Sequence, residues 1–235
     1  MKSLFILALA SLSICTPTPS DLSPVAENHQ DEKRAGSLVN GYWSCSPPPS
    51  GAVYTQQQQG IGLCGGTGIQ KQYFVISPRD NLYSCTPPPS GWTYDYVLNV
   101  LNVCQQGSFS IQYRLRKPYD GLEACTQMDG YTYTQVREVF NTCDVNKSNR
   151  LYKLRLPANN LEACTRPAAY TWVQVRDVFN VCELNKLAPI YRLWFPANNL
   201  NACSMPSGWT FSSKRDVLNV CSQNKMAPQY TLKKR

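Results

Sequence analysis

The stretch Tyr131-Thr132-Tyr133-Thr134-Gln135-Val136-Arg137-Glu138-Val139-Phe140-Asn141-Thr142-Cys143 carries the local signals of a helix. Thr132 stands at an N-cap position, and Gln135 three residues later completes a Thr-x-x-Gln capping box. Tyr131, just before the cap, can staple onto Val136. Val136, Val139, Phe140 and Cys143 then follow at i, i+3, i+4 and i+7, which is one face of a helix. Asn146, three residues past the cysteine, accepts the left-handed conformation that closes one.

The same signature returns along the chain. Tyr170, Thr171, Gln174, Val175, Val178, Phe179, Cys182 and Asn185 repeat it in full. Trp92-Thr93 with Val97, Cys104 and Gly107 repeats it in part, as does Trp209-Thr210 with Cys221 and Asn224, where Lys214 takes the staple position. Upstream of each lies an alternating segment, Tyr73-Phe74-Val75, Tyr113-Arg114-Leu115-Arg116, Tyr152-Lys153-Leu154-Arg155 or Tyr191-Arg192-Leu193. It reads as a half-buried strand. Then come Pro78, Pro118, Pro157 or Pro196 and a dipeptide, Asp80-Asn81, Asp120-Gly121, Asn159-Asn160 or Asn198-Asn199. Such dipeptides tolerate positive φ at both positions, as a two-residue type I′ hairpin requires. The chain thus turns back into Leu-x-x-Cys, and the predicted unit is strand, strand, helix.

Ten cysteines fall two to each period, Cys45 and Cys64, Cys85 and Cys104, Cys125 and Cys143, Cys164 and Cys182, Cys203 and Cys221; bridging within each pair is the expectation, with bridging between adjacent units as the alternative. Regular spacing of an even number behind a signal peptide reads as a disulfide framework. Self-similarity at a period of 39 or 40 residues reads as a repeat array. The expected fold is α+β: five disulfide-stapled ββα repeats, in an open stack rather than a closed ring. Their expected boundaries are a degenerate capping repeat at 35–69, then 70–109, 110–149, 150–188 and 189–228, with a terminal strand at 229–235.

Ahead of the repeats, Met1-Lys2-Ser3 and the apolar run from Leu4 to Ile14 predict a signal peptide over 1–15, too short to span a membrane. Residues 16–34 are polar, lack periodicity and end on the dibasic Lys33-Arg34, so they read as a disordered pro-segment cleaved after Arg34. Removing residues 1–34 takes Lys2, Lys33 and Arg34 from 23 basic residues and Asp21, Glu27, Asp31 and Glu32 from 15 acidic ones, which raises the net charge from +8 to about +9. Such a charge favours anionic partners, and secretion turns the expectation from nucleic acid towards glycans and surfaces.

Chemistry is sparse. The only histidine, His29, precedes the expected cleavage point, and paired cysteines leave no thiolate, so no cofactor, metal or histidine-assisted nucleophile is expected. Glu138, Asp177 and Asp216 follow Arg137, Arg176 and Arg215 at equivalent positions. Repetition of one carboxylate points to a solvated face more than to a carboxylate-pair hydrolase, which draws unlike residues into one cleft. The arginines, together with Tyr94, Tyr133, Trp172 and Phe211, are the candidate ligand-binding residues. Asn146-Lys147-Ser148 is a glycosylation sequon. The sequence therefore predicts a secreted, non-enzymatic repeat protein for cell-wall or surface glycan or another anionic polymer. A secreted virulence effector acting on a host surface protein is the alternative. Intact mass and N-terminal sequencing of the secreted protein should give a start at Ala35 and a gain of about ten hydrogens on reduction, two per disulfide.

Overall fold

A computed structural model describes residues 41–235; the expected signal peptide and pro-segment lie outside them. The segment Thr132–Phe140 is a nine-residue strand, and among the described residues there is no helix. The expected ββα unit is corrected to an all-β one. Its residues give the reason. Thr132, Thr134, Val136 and Val139 are β-branched, Tyr133 and Phe140 are aromatic, and both types fit a pleated, half-buried surface.

A β-bulge lies ahead of the Val136-Val139-Phe140 run, whose residues then alternate between the two faces of the strand. Thr134 is the extra residue, so Tyr133 lies opposite Leu154 while Val136 lies opposite Tyr152. Two residues three apart thereby share a face, which unbroken alternation forbids.

Each unit forms one three-stranded antiparallel sheet. Unit 1 has β1 (Tyr42–Ser44), β2 (Val53–Ile61) and β3 (Ile69–Ile76); unit 2 has β4 (Tyr83–Ser84), β5 (Thr93–Leu101) and β6 (Phe109–Arg116). Unit 3 has β7 (Glu123–Ala124), β8 (Thr132–Phe140) and β9 (Ser148–Arg155). Unit 4 has β10 (Glu162–Ala163), β11 (Thr171–Phe179) and β12 (Leu187–Trp194). Unit 5 has β13 (Asn201–Ala202), β14 (Trp209–Leu218) and β15 (Met226–Lys234). The third strand is central in every sheet, between the short first strand and the long second one. The final segment around Tyr230 is thus the middle of the fifth sheet.

The leucine of the Tyr-x-Leu strand is the core of each unit. Leu115, Leu154, Leu193 and Leu232 are fully buried, and Val75 fills the place in unit 1. Leu154 packs on Leu122 and Ala124 with Tyr131, Tyr133 and Tyr152 around it.

The Asp/Asn turns act differently from the type I′ expectation. Only their second residue is left-handed: φ is 62° at Asn81, 90° at Gly121, 63° at Asn160 and 64° at Asn199. The first residue instead spends its side chain on the far end of the unit. Asp80, Asp120, Asn159 and Asn198 accept the backbone N–H of Lys117, Leu156, Phe195 and Lys234 at 2.9, 2.8, 2.6 and 2.8 Å. The second loop, between the two long strands, carries two left-handed residues, such as Asn141 and Asn146. Asn141 Oδ1 accepts the Asn146 N–H at 3.2 Å, so the left-handed residues expected to end helices close hairpins instead.

The five disulfides pair within units, and each ties the end of the short strand to the hairpin loop. Between units, two backbone hydrogen bonds make each seam. Cys164 N–H donates to the Tyr133 carbonyl and Val136 N–H to the Val181 carbonyl, both at 2.8 Å. The same two bonds join Cys85 to Tyr54 and Gln57 to Val103, Cys125 to Tyr94 and Val97 to Thr142, and Cys203 to Trp172 and Val175 to Val220. The threonines expected as helix caps also serve the seams. Thr93, Thr132 and Thr171 are buried, and their hydroxyls pair with those of Thr126, Thr165 and Ser204 at 2.6, 2.6 and 2.8 Å. Among the described residues no strand of the fifth sheet packs comparably on the first, so the row is open.

Replacing Cys164 and Cys182 together by alanine should lower unfolding free energy by about 3 kcal/mol, the chain-entropy value for a loop of this length. Native-state hydrogen exchange should show the Val136 amide, which donates into that loop, opening faster relative to the Val97 amide, which does not.

Candidate functional site

Register places the sequence-predicted residues on opposite sides of each sheet. Tyr133 and Val136 face the same way as Tyr152 and Leu154, whereas Gln135 and Arg137 face the way of Lys153 and Leu151. Units 4 and 5 repeat this, with Trp172 and Phe211 on one face and Arg176 and Arg215 on the other. The aromatic and arginine candidates therefore do not converge.

The arginine face is largely neutralised from within. Arg137 bonds Glu123, and Arg176 bonds Glu162 at 2.7 Å. Arg215 donates to the Gln229 side chain at 2.7 and 3.0 Å. In unit 2 the bulge residue Asp95, nearly buried, takes both Arg114 and Arg116 at 2.7 Å. The hydrogen bond from Arg176, ahead of the charge of Arg176 and Arg192, holds the Glu162 carboxyl below the usual carboxylate range. The hydrogen bond from Arg155 and then the Leu156 N–H do the same for Asp120.

The aromatic candidates are half-buried, except the more exposed Phe211 at the array's end. Each meets a tyrosine of the central strand: Tyr94 with Tyr113 and Tyr133 with Tyr152 at 5.2 Å, Trp172 with Tyr191 at 5.7 Å, and Phe211 with Tyr230 at 5.5 Å. Most of these rings meet edge to face, a favoured aromatic geometry. Two of them also reach the next unit. Tyr94 Oη donates to the Cys143 carbonyl at 3.2 Å and Tyr133 Oη to the Cys182 carbonyl at 3.5 Å. Burial raises both phenol pKa values, with the neighbouring tyrosine adding to it.

The seam between units 4 and 5 differs. Trp172 has no hydroxyl to reach Cys221, and a groove of about 330 Å³ lies there, lined by Trp172, Tyr191, Asp177, Arg166, Gln223 and Lys225. Arg166 lies 4.7 Å over the Trp172 ring and 4.9 Å over the Tyr191 ring. It also lines a larger cavity of about 740 Å³ between units 3 and 4, among Met128, Tyr131, Pro157 and Tyr170. The Tyr131 and Tyr170 hydroxyls are committed there to the carbonyls of Pro118 and Pro157 at 2.9 and 2.8 Å. A polar groove of about 550 Å³, lined by Gln57, Gln58, Gln59 and Gln106, marks the seam of units 1 and 2.

Sequence reasoning missed Arg166, Lys225, Tyr191 and Gln223. It searched for what repeats, and Arg166 replaces Pro47, Pro87, Gln127 and Met205 at the matching position. Glu138, Asp177 and Asp216 stand one per unit, exposed, and opposite Arg150, Pro189 and Pro228. Asn146 is exposed in the hairpin loop of unit 3. Among the described residues no three His, Cys, Asp or Glu side chains gather as metal ligands, and no helix is long and apolar enough to cross a membrane. Comparison with known proteins brings no family model, no curated relative and no solved structure that matches the chain.

The depressed carboxyl values fix a pH window. A lowered pKa means that the folded state favours the ionised form, so its contribution is complete above the ordinary value and is lost as pH falls through the folded one. Melting temperature should therefore drop between about pH 5 and about pH 3. Glu162→Gln should show a shallower drop in thermal melts across the same range.

Proposed function

We propose that the chain is a secreted, non-catalytic repeat protein that holds an extended acidic polymer, a cell-wall or surface glycan bearing anionic groups. The observation that carries this reading is a pair of open grooves at matching seams, units 1–2 and units 4–5, where the second strand of one sheet meets the cysteine loop of the next. Two such grooves, at the two ends of the row, offer spaced subsites to a ligand that is itself extended, and linked subsites bind more tightly than any one alone. The positive net charge of the chain raises the local concentration of a polyanion. Five disulfides are the pattern of extracellular proteins, and they hold the seams in an oxidising medium. The exposed Glu138, Asp177 and Asp216, one to a unit, suit a solvated surface better than a paired acid and nucleophile.

A host surface protein as partner, for a secreted effector, is favoured by one other feature. Exposed apolar pairs stand at the hairpin ends: Ile61 with Ile69, Leu101 with Phe109 and Phe179 with Leu187, all at least half exposed. Contiguous exposed apolar surface of this kind marks interaction sites.

Chromatography on immobilised polygalacturonate and on a neutral glucan separates the two readings. The chain should be retained on the acidic matrix at low salt and eluted by salt, and long oligomers should compete better than short ones at equal sugar concentration. Passage through every acidic matrix at low salt would end the glycan reading. Retention undone equally by the uncharged Leu101→Ser and Phe179→Ser would move the contact to the apolar hairpin ends.

A further inference from the structure

Most arginines in the sheets are tied to carboxylates of their own chain, as Arg137, Arg155 and Arg176 are to Glu123, Asp120 and Glu162. Arg166 is held in another way. Its guanidinium lies over two rings, Trp172 at 4.7 Å and Tyr191 at 4.9 Å, and among the described residues no carboxylate oxygen comes within 4.0 Å of it. Cation–π contact fixes the position of such a group without neutralising it. A planar cation fixed in this way, with its N–H fork unspent on any carboxylate, is a preformed receptor for an anion.

The surroundings narrow the anion. Lys225 lines the same groove, so two cations stand against the single carboxylate of Asp177. Gln223 accepts the Asp177 backbone N–H across the seam, which pins the cysteine loop of unit 5 to β11 and leaves the Gln223 amide group as a donor. Trp172, Tyr191 and Pro189 supply apolar surface beside the charges. The buried Trp172 Nε1–H has no acceptor in the described chain. At about 330 Å³ the groove is at the small end of ligand sites, the size for one sugar unit rather than a long segment.

We infer that the groove between units 4 and 5 is the specificity site for a uronate, a pyranose ring carrying a carboxylate. The inference rests on the reading of the chain as an acidic-glycan binder and names the group that it selects. Arg166 takes the carboxylate through two parallel N–H bonds, Lys225 adds charge, and the C–H face of the sugar packs on the Trp172 and Pro189 surface. The other seams lack this combination. Tyr94 and Tyr133 close theirs with a hydroxyl on the next unit, and the positions matching Arg166 carry no charge.

The test is titration calorimetry of the full chain with a galacturonate oligomer. Arg166→Gln should weaken binding by about tenfold to a hundredfold, the range for a lost charge-assisted hydrogen bond. Lys153→Gln, on the opposite sheet face, removes the same charge and should change affinity less than about twofold. Trp172→Tyr restores the hydroxyl that can reach the Cys221 carbonyl. It should weaken binding while leaving the melting temperature unchanged or higher, which separates the site from a folding defect. Equal weakening by Arg166→Gln and Lys153→Gln would overturn the site in favour of the overall field of the protein. Unchanged binding in Arg166→Gln would overturn it and leave the polymer reading standing. Tighter binding of a sulfated oligomer of equal charge and length would overturn the choice of carboxylate. A chain that binds no acidic oligomer would take both readings down together.

Discussion

Everything in this array depends on a clamp made of two backbone groups and one disulfide. In unit 4 the Cys164 N–H and the Val181 carbonyl flank the Cys164–Cys182 bridge, and they grip the Tyr133 carbonyl and the Val136 N–H of unit 3. Those two partners straddle the bulge at Thr134. The bulge sets the spacing on one side of the seam and the disulfide sets it on the other. Neither is useful alone. Without the bulge, alternation would put Tyr133 and Val136 on opposite faces, and without the bridge the loop carrying Val181 would have to be ordered at its own entropic cost. The four seams repeat the same pair of bonds, so one local solution is used throughout.

The clamp explains how units of about 39 residues hold together. A sheet of three strands with a core of only a few buried residues, such as Leu122, Ala124 and Leu154, is too small to stand alone. The seam supplies the rest: a buried hydroxyl pair, an aromatic reaching over the next cystine, and a valine under it. Leu151 beside Cys125 and Cys143 shows the effect, since the ring packed on that group is Tyr94 of the preceding unit. At the C-terminal end the same positions change character. Lys214 is exposed where Val97, Val136 and Val175 are buried, and Ser212, Ser213 and Arg215 beside it are exposed too. A polar, charged edge strand discourages pairing with another chain. The fifth unit is thus built like the others except on the exposed side of β14.

Much of this was legible in the residues and some was not. Cysteine spacing showed which cysteines fall in one unit but left pairing between adjacent units open, and the structure closes each pair within its unit. The Tyr-x-Leu strands were legible because two faces of unlike polarity impose alternation. Left-handed positions at Gly107, Asn146, Asn185 and Asn224 were legible as conformations, since only a few residue types accept them. Their element was not. A helix and a bulged strand can both place side chains three apart on one face, and the Thr-x-x-Gln pair that reads as a capping box also suits a strand with a buried hydroxyl. What distinguished them was the share of β-branched and aromatic residues, a weak signal that tertiary pairing made decisive.

The binding candidates failed to converge for a related reason. Repetition is the best guide to a scaffold, because every unit must solve the same packing problem. It is a poor guide to a site, because residues that solve that problem are already engaged. Tyr94 and Tyr133 recur and are tied to the next unit by their hydroxyls; Arg137 and Arg176 recur and are tied to glutamates. Arg166 and Trp172 are where the pattern breaks. The tryptophan removes a seam contact and opens space, and the arginine takes a position that elsewhere holds proline, glutamine or methionine. Two departures meet in one seam: the tryptophan gives up a hydroxyl contact to the next unit, and the arginine lays a cation over aromatic rings without a carboxylate to neutralise it. Their physical consequence is a groove that attracts an anion, and it is there that selectivity for a ligand can arise.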